Sequence, residues 1–295
     1  MRALPLFHPV QVATEAVVCD HLSGGRYIAG FGAGGDERND IAANLNIGQA
    51  SERHERMLEE IDVILRCWTE QEAFDYDGRY YQLKNIKINP LPLQQPHPPV
   101  ALACSRSDST LQYAATHGLS PLISFFDPPS GLADMGQIFM DAGKEAGVET
   151  RRSSIRMPRF VHVAETTKKA WAEVQEWEPH MQRRKMIFPW QFRRLVPAGG
   201  SVDDVTLEVM ADSGSIFIGD PETVYQGIKT MYGDVGGFGV LLLMSGWRDS
   251  GTRAQRYRGL RLFMEHVAPR LAKLDPDAPA SSPDGAGRVP AALNR

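Results

Sequence analysis

Apolar and polar positions alternate along this chain in two rhythms. Short apolar runs are separated by longer segments in which apolar residues recur every third or fourth position, the spacing of one helix face. The runs are RYIAGF (26–31), PVALAC (99–104), LSPLISFF (119–126), IRMPRFVHVA (155–164) and FGVLLLM (238–244), and residues 2–6 read as a fragment of another. Helical segments are expected over 10–23, from Ser51 to about Trp68, and over 107–118 and 131–146. Others are expected from Thr166 to about Trp177, from Pro221 to near Gly233, and over 253–272. Met57, Ile61, Leu65 and Trp68 mark one face of the second helix, and Leu260, Phe263, Met264, Val267 and Leu271 one face of the last. Strands that are apolar throughout, alternating with helices, indicate a parallel sheet covered on both sides. An open doubly wound sheet and a (β/α)8 barrel both fit. Five runs and a fragment fall short of eight strands, so counting alone favours the open sheet.

Punctuation refines this order. Asp77–Gly78 sits between β-formers in FDYDGRYYQL (74–83), a hairpin signal. Asp220–Pro221 reads as an N-cap followed by proline at the first helical position. Residues 181–215 break the rhythm, with aromatic, basic and glycine-rich patches in turn. One domain is expected over 1–274, and the aperiodic Pro/Ala/Ser-rich residues 275–295 are expected to be a disordered tail.

Composition narrows the class of function. The chain has 295 residues, 42% of them hydrophobic, a formal net charge of −4 and a pI near 6.1. That balance leaves no basic face, so no nucleic-acid partner is expected. No apolar run reaches membrane-spanning length, and MRALPLFHP is too short and proline-broken for a signal peptide. Cys19, Cys67 and Cys104 are odd in number and widely spaced, the pattern of reduced thiols, which places the protein in the cytoplasm.

Two stretches suggest ligand chemistry. GFGAGGDERN (30–39) contains a literal G-x-G-x-x-G in Gly30, Gly32 and Gly35. A dinucleotide site needs an amphipathic helix directly after it, and the residues that follow are polar and unperiodic, so the glycines need another use. ACSRSDST (103–110) lies between a buried strand and a helix start, where free N–H groups and the helix dipole attract an anion. Plain capping by Ser107 or Asp108 explains the same residues. The eight histidines show no H-E-x-x-H spacing, no G-x-S-x-G is present, and His8 and His162 read as structural. QRRKMIFPWQFRRLVPAGGS (182–201) interleaves basic and aromatic residues, the composition of a nucleic-acid contact, which the overall acidity argues against.

Three blocks together resemble the bacterial-luciferase-like, flavin-dependent monooxygenases: LPLFHPVQVATEAVVCDHLSGGRYIAGFGAG (4–34), NPLPLQQPHPPVALACSRSDSTLQYAATHGLSPLISF (89–125) and IGDPETVYQGIKTM (218–231). The resemblance covers roughly residues 2–272. It implies an α/β, luciferase-like (β/α)8 TIM barrel that is N-terminally incomplete, with about six of eight strands and an insertion before the last one. Residue 1 would fall within the family's third strand; a start codon upstream of Met1 is the expected reason, with gene damage and an unusual open relative as the alternatives. The implied cofactor is FMN, reduced and supplied by a separate flavin reductase. It would act with O2 on a small organic substrate in a cytoplasmic homodimer without nucleic acid or membrane.

Carried onto this sequence, the cofactor-binding residues are Gly32 and Ala33 at one strand end, Cys104, Ser105 and Ser109 around the phosphate, and Ser124 and Phe125 against the ring. Residues 181–215 would form a lid or, alternatively, an oligomer contact. The family's catalytic histidine would lie in the missing N-terminal part, so no catalytic residue is assigned and no metal is expected. A deazaflavin-dependent dehydrogenase of the same superfamily and a catalytically inactive flavin-binding or partner subunit are the alternatives.

Overall fold

The strand order decides between the two architectures. In the computed structural model, which describes residues 1–34, 50–104, 108–244 and 251–278, the main sheet runs β1 (Arg2–Ala3), β2 (Ala29–Gly32), β5 (Val100–Cys104), β6 (Ser120–Ile123) and β7 (Arg156–Val163), every pairing parallel. β9 (Val240–Met244) follows on β7. Successive strands lie side by side with no reversal of order, whereas a doubly wound sheet reverses at a switch point. The path is that of a barrel wall, six strands long, and the open sheet favoured by counting is set aside. β3 (Phe74–Asp77) and β4 (Gln82–Ile86) form a separate antiparallel hairpin, as Asp77–Gly78 predicts.

Helices follow the strands: α1 (Pro9–Leu22), α2 (Ala50–Thr69), α3 (Asp108–Thr116) and α4 (Pro129–Ala146) after β1, β2, β5 and β6. The insertion between β7 and β9 holds α5 (Thr167–Val174), α6 (Glu178–Ile187), α7 (Leu207–Asp212), β8 (Ile216–Gly219) and α8 (Pro221–Asp234). α9 (Arg253–Leu262) continues through a π-helical turn, Phe263–Val267, into Ala268–Leu271.

The sequence reading differs from the structure in several places, among them the last helix, where Leu260 and Met264 of the expected inward face are exposed while Phe263 and Val267 are buried. Only Arg2–Ala3 of the first fragment is a strand; Leu4–Leu6 tightens into a 3-10 turn, where Pro5 has no N–H to give a ladder. The helix expected to reach Trp177 ends at Val174 and is followed by a 3-10 turn. β8 went unrecognised because four apolar residues between glycine-containing segments carry too little periodicity. It pairs with the last four residues of β7, while β9 takes the first five, and Phe160 has both neighbours. Where Asp220 was expected to cap α8, its carboxylate accepts from Thr223 N at 2.9 Å and from the Thr167 hydroxyl at 2.8 Å. Residues 279–295 of the expected tail lie outside the described residues.

Two apolar cores result. The larger lies between the sheet and its helices and includes Phe31, Leu102, Met157 and Trp68, whose indole N–H donates to Ala13 O at 3.0 Å and ties α2 to α1. The smaller joins the insertion to the strand ends through Phe126, Phe160, Trp177, Met181, Phe192 and Ile218. Among the described residues, no helix is long and apolar enough to cross a membrane.

Candidate active site at the strand ends

Alternation along the strands separates two faces. On β2 and β5, Ala29, Phe31, Val100, Leu102 and Cys104 enter the helix-side core. The opposite face carries Gly30 and Gly32 beside Ala101 and Ala103, with Gly30 paired to Ala101. It continues through Leu122, the partner of Ala103, to Arg156, the partner of Leu122. This face is flat where glycine and alanine supply it. A Cβ on Gly32 would stand 3.3 Å from the Ala103 Cβ and 3.9 Å from Met1 Sδ. Gly34, at φ +86°, would bring a Cβ within 3.3 Å of Ala3 Cβ. Glycine is required there both by backbone conformation and by close approach. Ala33, half-buried, packs against the larger core.

The start of α3 adjoins this strip. Ser109, exposed, is in its first turn, and Ser105 lies outside the described residues. Cys104 contributes differently from the sequence expectation. Its thiol is fully buried in the helix-side core, its Sγ donates to Leu102 O at 3.2 Å, and burial pushes it up to about 12. What Cys104 presents at the strand end is backbone. Two residues that sequence reasoning passed over come from α2. His54 Nε2 lies 2.7 Å from the Thr110 hydroxyl, which joins the first turns of α2 and α3. Burial holds the His54 imidazole below its usual range, so it is neutral at pH 7. Arg53, next to it, is buried at 4% exposure. An arginine four residues before Met57, on the apolar stripe of α2, was the readable signal. Asp108, at the first position of α3, complements the helix dipole and opposes a second anion there.

Ser124–Asp127 forms the turn leaving β6. Ser124 is two residues beyond Leu122, so it continues the small-residue face. Phe125 is half-buried among Phe126, at 4.5 Å between ring centroids, and Phe160, at 6.1 Å and edge-on. The insertion settles on this turn. Arg184 of α6 lies 5.5 Å from the Phe125 ring and 5.2 Å from the Phe126 ring, and Phe192 packs 5.0 Å from Phe126. Arg194 Nη1 donates to Asp127 Oδ1 at 3.1 Å. Lys185, 2% exposed, donates to the carbonyls of Asp203 and Val205 and pins α6 to the rest of the insertion. Phe125 is thus an element of an aromatic and cationic seat for residues 178–195 as well as a neighbour of the strand end.

The remaining histidines singled out in the sequence have structural partners. His8 sets its ring edge-on to Tyr81 at 5.7 Å. His162 Nε2 bonds Glu173 Oε2 at 2.8 Å, and Glu173 also accepts from Arg258. Among the described residues, no group of three or more His, Cys, Asp or Glu could hold a metal ion. Two surface grooves, of about 560 and 420 Å³, lie beside the start of α1 and outside β8, and neither is lined by Gly32, Ser109 or Ser124.

A family model described as luciferase-like monooxygenase matches residues 1–237. The 4-hydroxyprotoasukamycin monooxygenase of Streptomyces nodosus subsp. asukaensis is 30% identical over 278 residues, 91% of this chain and 72% of that protein. Among solved structures, the oxygenating constituent of 3,6-diketocamphane monooxygenase from the CAM plasmid of Pseudomonas putida, in complex with FMN, superimposes with a TM-score of 0.77. It is 23% identical and covers 91% of this chain and 78% of that one. An F420-dependent secondary alcohol dehydrogenase in complex with an F420–acetone adduct gives 0.67 at 17% identity, over 89% and 75%. These likenesses establish the barrel fold.

Proposed function

This chain belongs to the luciferase-like monooxygenase family, and on that premise we propose that it is a flavin-dependent monooxygenase. It takes reduced FMN from a separate flavin reductase and uses O2 to oxygenate a small organic substrate. The observation that carries the reading is the flat strip of Gly30, Gly32, Ala101 and Ala103 beside the start of α3. A planar ring needs a wall without side chains, and a phosphate needs free N–H groups with a nearby cation. The glycine–alanine strip supports the first requirement, and the first turn of α3 is the proposed place for the second.

The flavin, when bound, supplies the oxygen chemistry. The chain's residues bind, orient and shield. Gly32 and Ala33 give the ring a backbone surface, and the first turn of α3 with Ser105, Ser109 and Arg53 holds the phosphate. Ser124 and Phe125 border the ring from the turn after β6, and Cys104, at the end of β5, offers only its backbone. Residues 181–215 close over the turn and keep water from the reacting atoms. The same reading makes the protein a cytoplasmic homodimer.

The likeness to the F420-dependent dehydrogenase supports a second reading, hydride transfer with a deazaflavin and no oxygen. An anaerobic titration of the full chain with FMN and with F420, each oxidised and then reduced, followed by absorbance and fluorescence, separates them. Tighter binding of reduced FMN, with O2 consumption on mixing with air, is expected. Selective F420 binding without O2 uptake overturns the monooxygenase reading. Binding without turnover of any offered substrate favours an inactive flavin-binding subunit.

A further inference from the structure

Arg159 of β7 is completely buried, and among the described residues its guanidinium bonds to no carboxylate. Strand alternation places it on the helix side, between Met157 and Val161 of the larger core, where its Nε donates to Met231 Sδ of α8 at 3.3 Å. The fork of the guanidinium reaches past the strand edge. Nη1 donates to Ser124 O at 2.9 Å and to Pro158 O at 2.8 Å, and Nη2 donates to Asp127 O at 3.2 Å. Burial lowers its pKa to about 10, which leaves it charged at neutral pH. Removing a cation from water is costly, so an apolar residue beside Met231 would be the more stable choice for packing alone. What a methionine or leucine cannot do is hold two carbonyls three residues apart.

Those carbonyls bracket the turn on which the candidate site closes. Ser124 and Phe125 stand at the strand end, and Asp127 receives the insertion through its carboxylate, 3.1 Å from Arg194 Nη1. One residue, Asp127, is therefore gripped from the core through its carbonyl and from the insertion through its side chain. We infer that Arg159 is a positioning residue: it sets the Ser124–Asp127 turn, and so fixes both the ring-side wall and the seat on which residues 178–195 close. The inference rests on the flavin reading above for its first half; the seating of the insertion stands on the contacts alone.

The test uses the full chain and two variants, each first checked for folding by circular dichroism. R159K keeps the charge but has a single ammonium that cannot span both carbonyls; R159M keeps the bulk without the charge. Both are expected to weaken FMN and riboflavin binding by the same factor, about tenfold, the scale set by one or two net hydrogen bonds. The ring's absorbance and fluorescence change on binding should shrink, because the wall moves while the phosphate corner does not. Trypsin should cut within the basic stretch 182–195 about tenfold faster, as expected when a hydrogen-bonded seat is loosened. Folded variants with unchanged flavin spectra and unchanged cleavage overturn the inference. So does weakening confined to FMN, which would assign Arg159 to the phosphate. If the wild-type chain binds neither flavin, the flavin reading fails, and the cleavage rates alone decide whether Arg159 seats the insertion.

Discussion

The Cβ of Ala103 stands 3.3 Å from where a Cβ on Gly32 would be, across the parallel pairing of β5 with β2. That separation leaves no room for a side chain to rise from β2 without covering the strip. Gly32→Val is expected to leave the fold intact, since no positive φ is required at this position, at an overpacking cost of about 1–3 kcal/mol. FMN binding is expected to fall at least roughly tenfold because the methyl groups occupy the ring's wall. Flavin titration beside thermal melting checks both; a well-folded variant with undiminished affinity places the ring elsewhere.

Arg53 of α2 is buried at 4% exposure and precedes His54, which meets Thr110 in the first turn of α3. Arg53→Met is expected to weaken FMN by roughly 10- to 100-fold, the range for a hydrogen bond to a charged group, and to leave riboflavin unaffected. Comparing the two ligands, which differ by the phosphate, reads this directly. Equal losses for both would make Arg53 a packing residue.

Glu60 of α2 is fully buried and accepts from the Tyr81 hydroxyl and from Arg56 Nε at 3.3 Å, yet its Oε2 has no hydrogen-bond partner among the described residues. Burial outweighs those two favourable contacts and raises its pKa from 4.5 to about 7. The folded state therefore holds a proton that the unfolded chain gives up. The stability this contributes is present below pH 4.5 and is lost as pH rises towards 7, by at most about 3 kcal/mol. Denaturant midpoints between pH 5 and 8 should decline in the wild type and flatten in E60Q. A parallel decline in both would show that another group titrates.

His162 works in the opposite sense. Burial lowers its pKa despite the Glu173 carboxylate 2.8 Å away. The unfolded chain takes up a proton near pH 6.5 that the folded chain resists, so stability falls as pH drops below that value. H162Q is expected to lose this acid-side slope while keeping a hydrogen bond to Glu173. An unchanged slope in the variant assigns the acid sensitivity elsewhere.

Much of the fold was legible because its signals are local. The apolar strands, the Met57–Ile61–Trp68 stripe, the Asp77–Gly78 hairpin and the Asp220–Pro221 cap each depend on a few neighbouring residues, and each recurs in the structure at nearly the expected bounds. β8 was missed because four residues hold less than one clear period. Strand count misled where strand order did not, and order is a property of pairing between distant segments. Glycine and serine chemistry drew attention to Gly32 and Ser109, and the family resemblance is what proposed a cofactor role for them. The direction of the Cys104 thiol could not be read in this way, because it depends on which face of β5 meets the helices.

The sequence by itself determined the alternation of apolar strands with helices and, through three motif blocks, the family to which the chain belongs. It also marked the glycines at the end of β2 and the serines at the start of α3. Tertiary structure alone decided that Gly32 lies beside Ala103, that His54 meets Thr110 across 56 positions, and that Arg159 holds the carbonyls of Ser124 and Asp127. The physical reason is range. Backbone conformation and amphipathic spacing are set within a turn or two of chain. A buried arginine or a bare strip of sheet acquires its meaning only from the segments that packing brings against it.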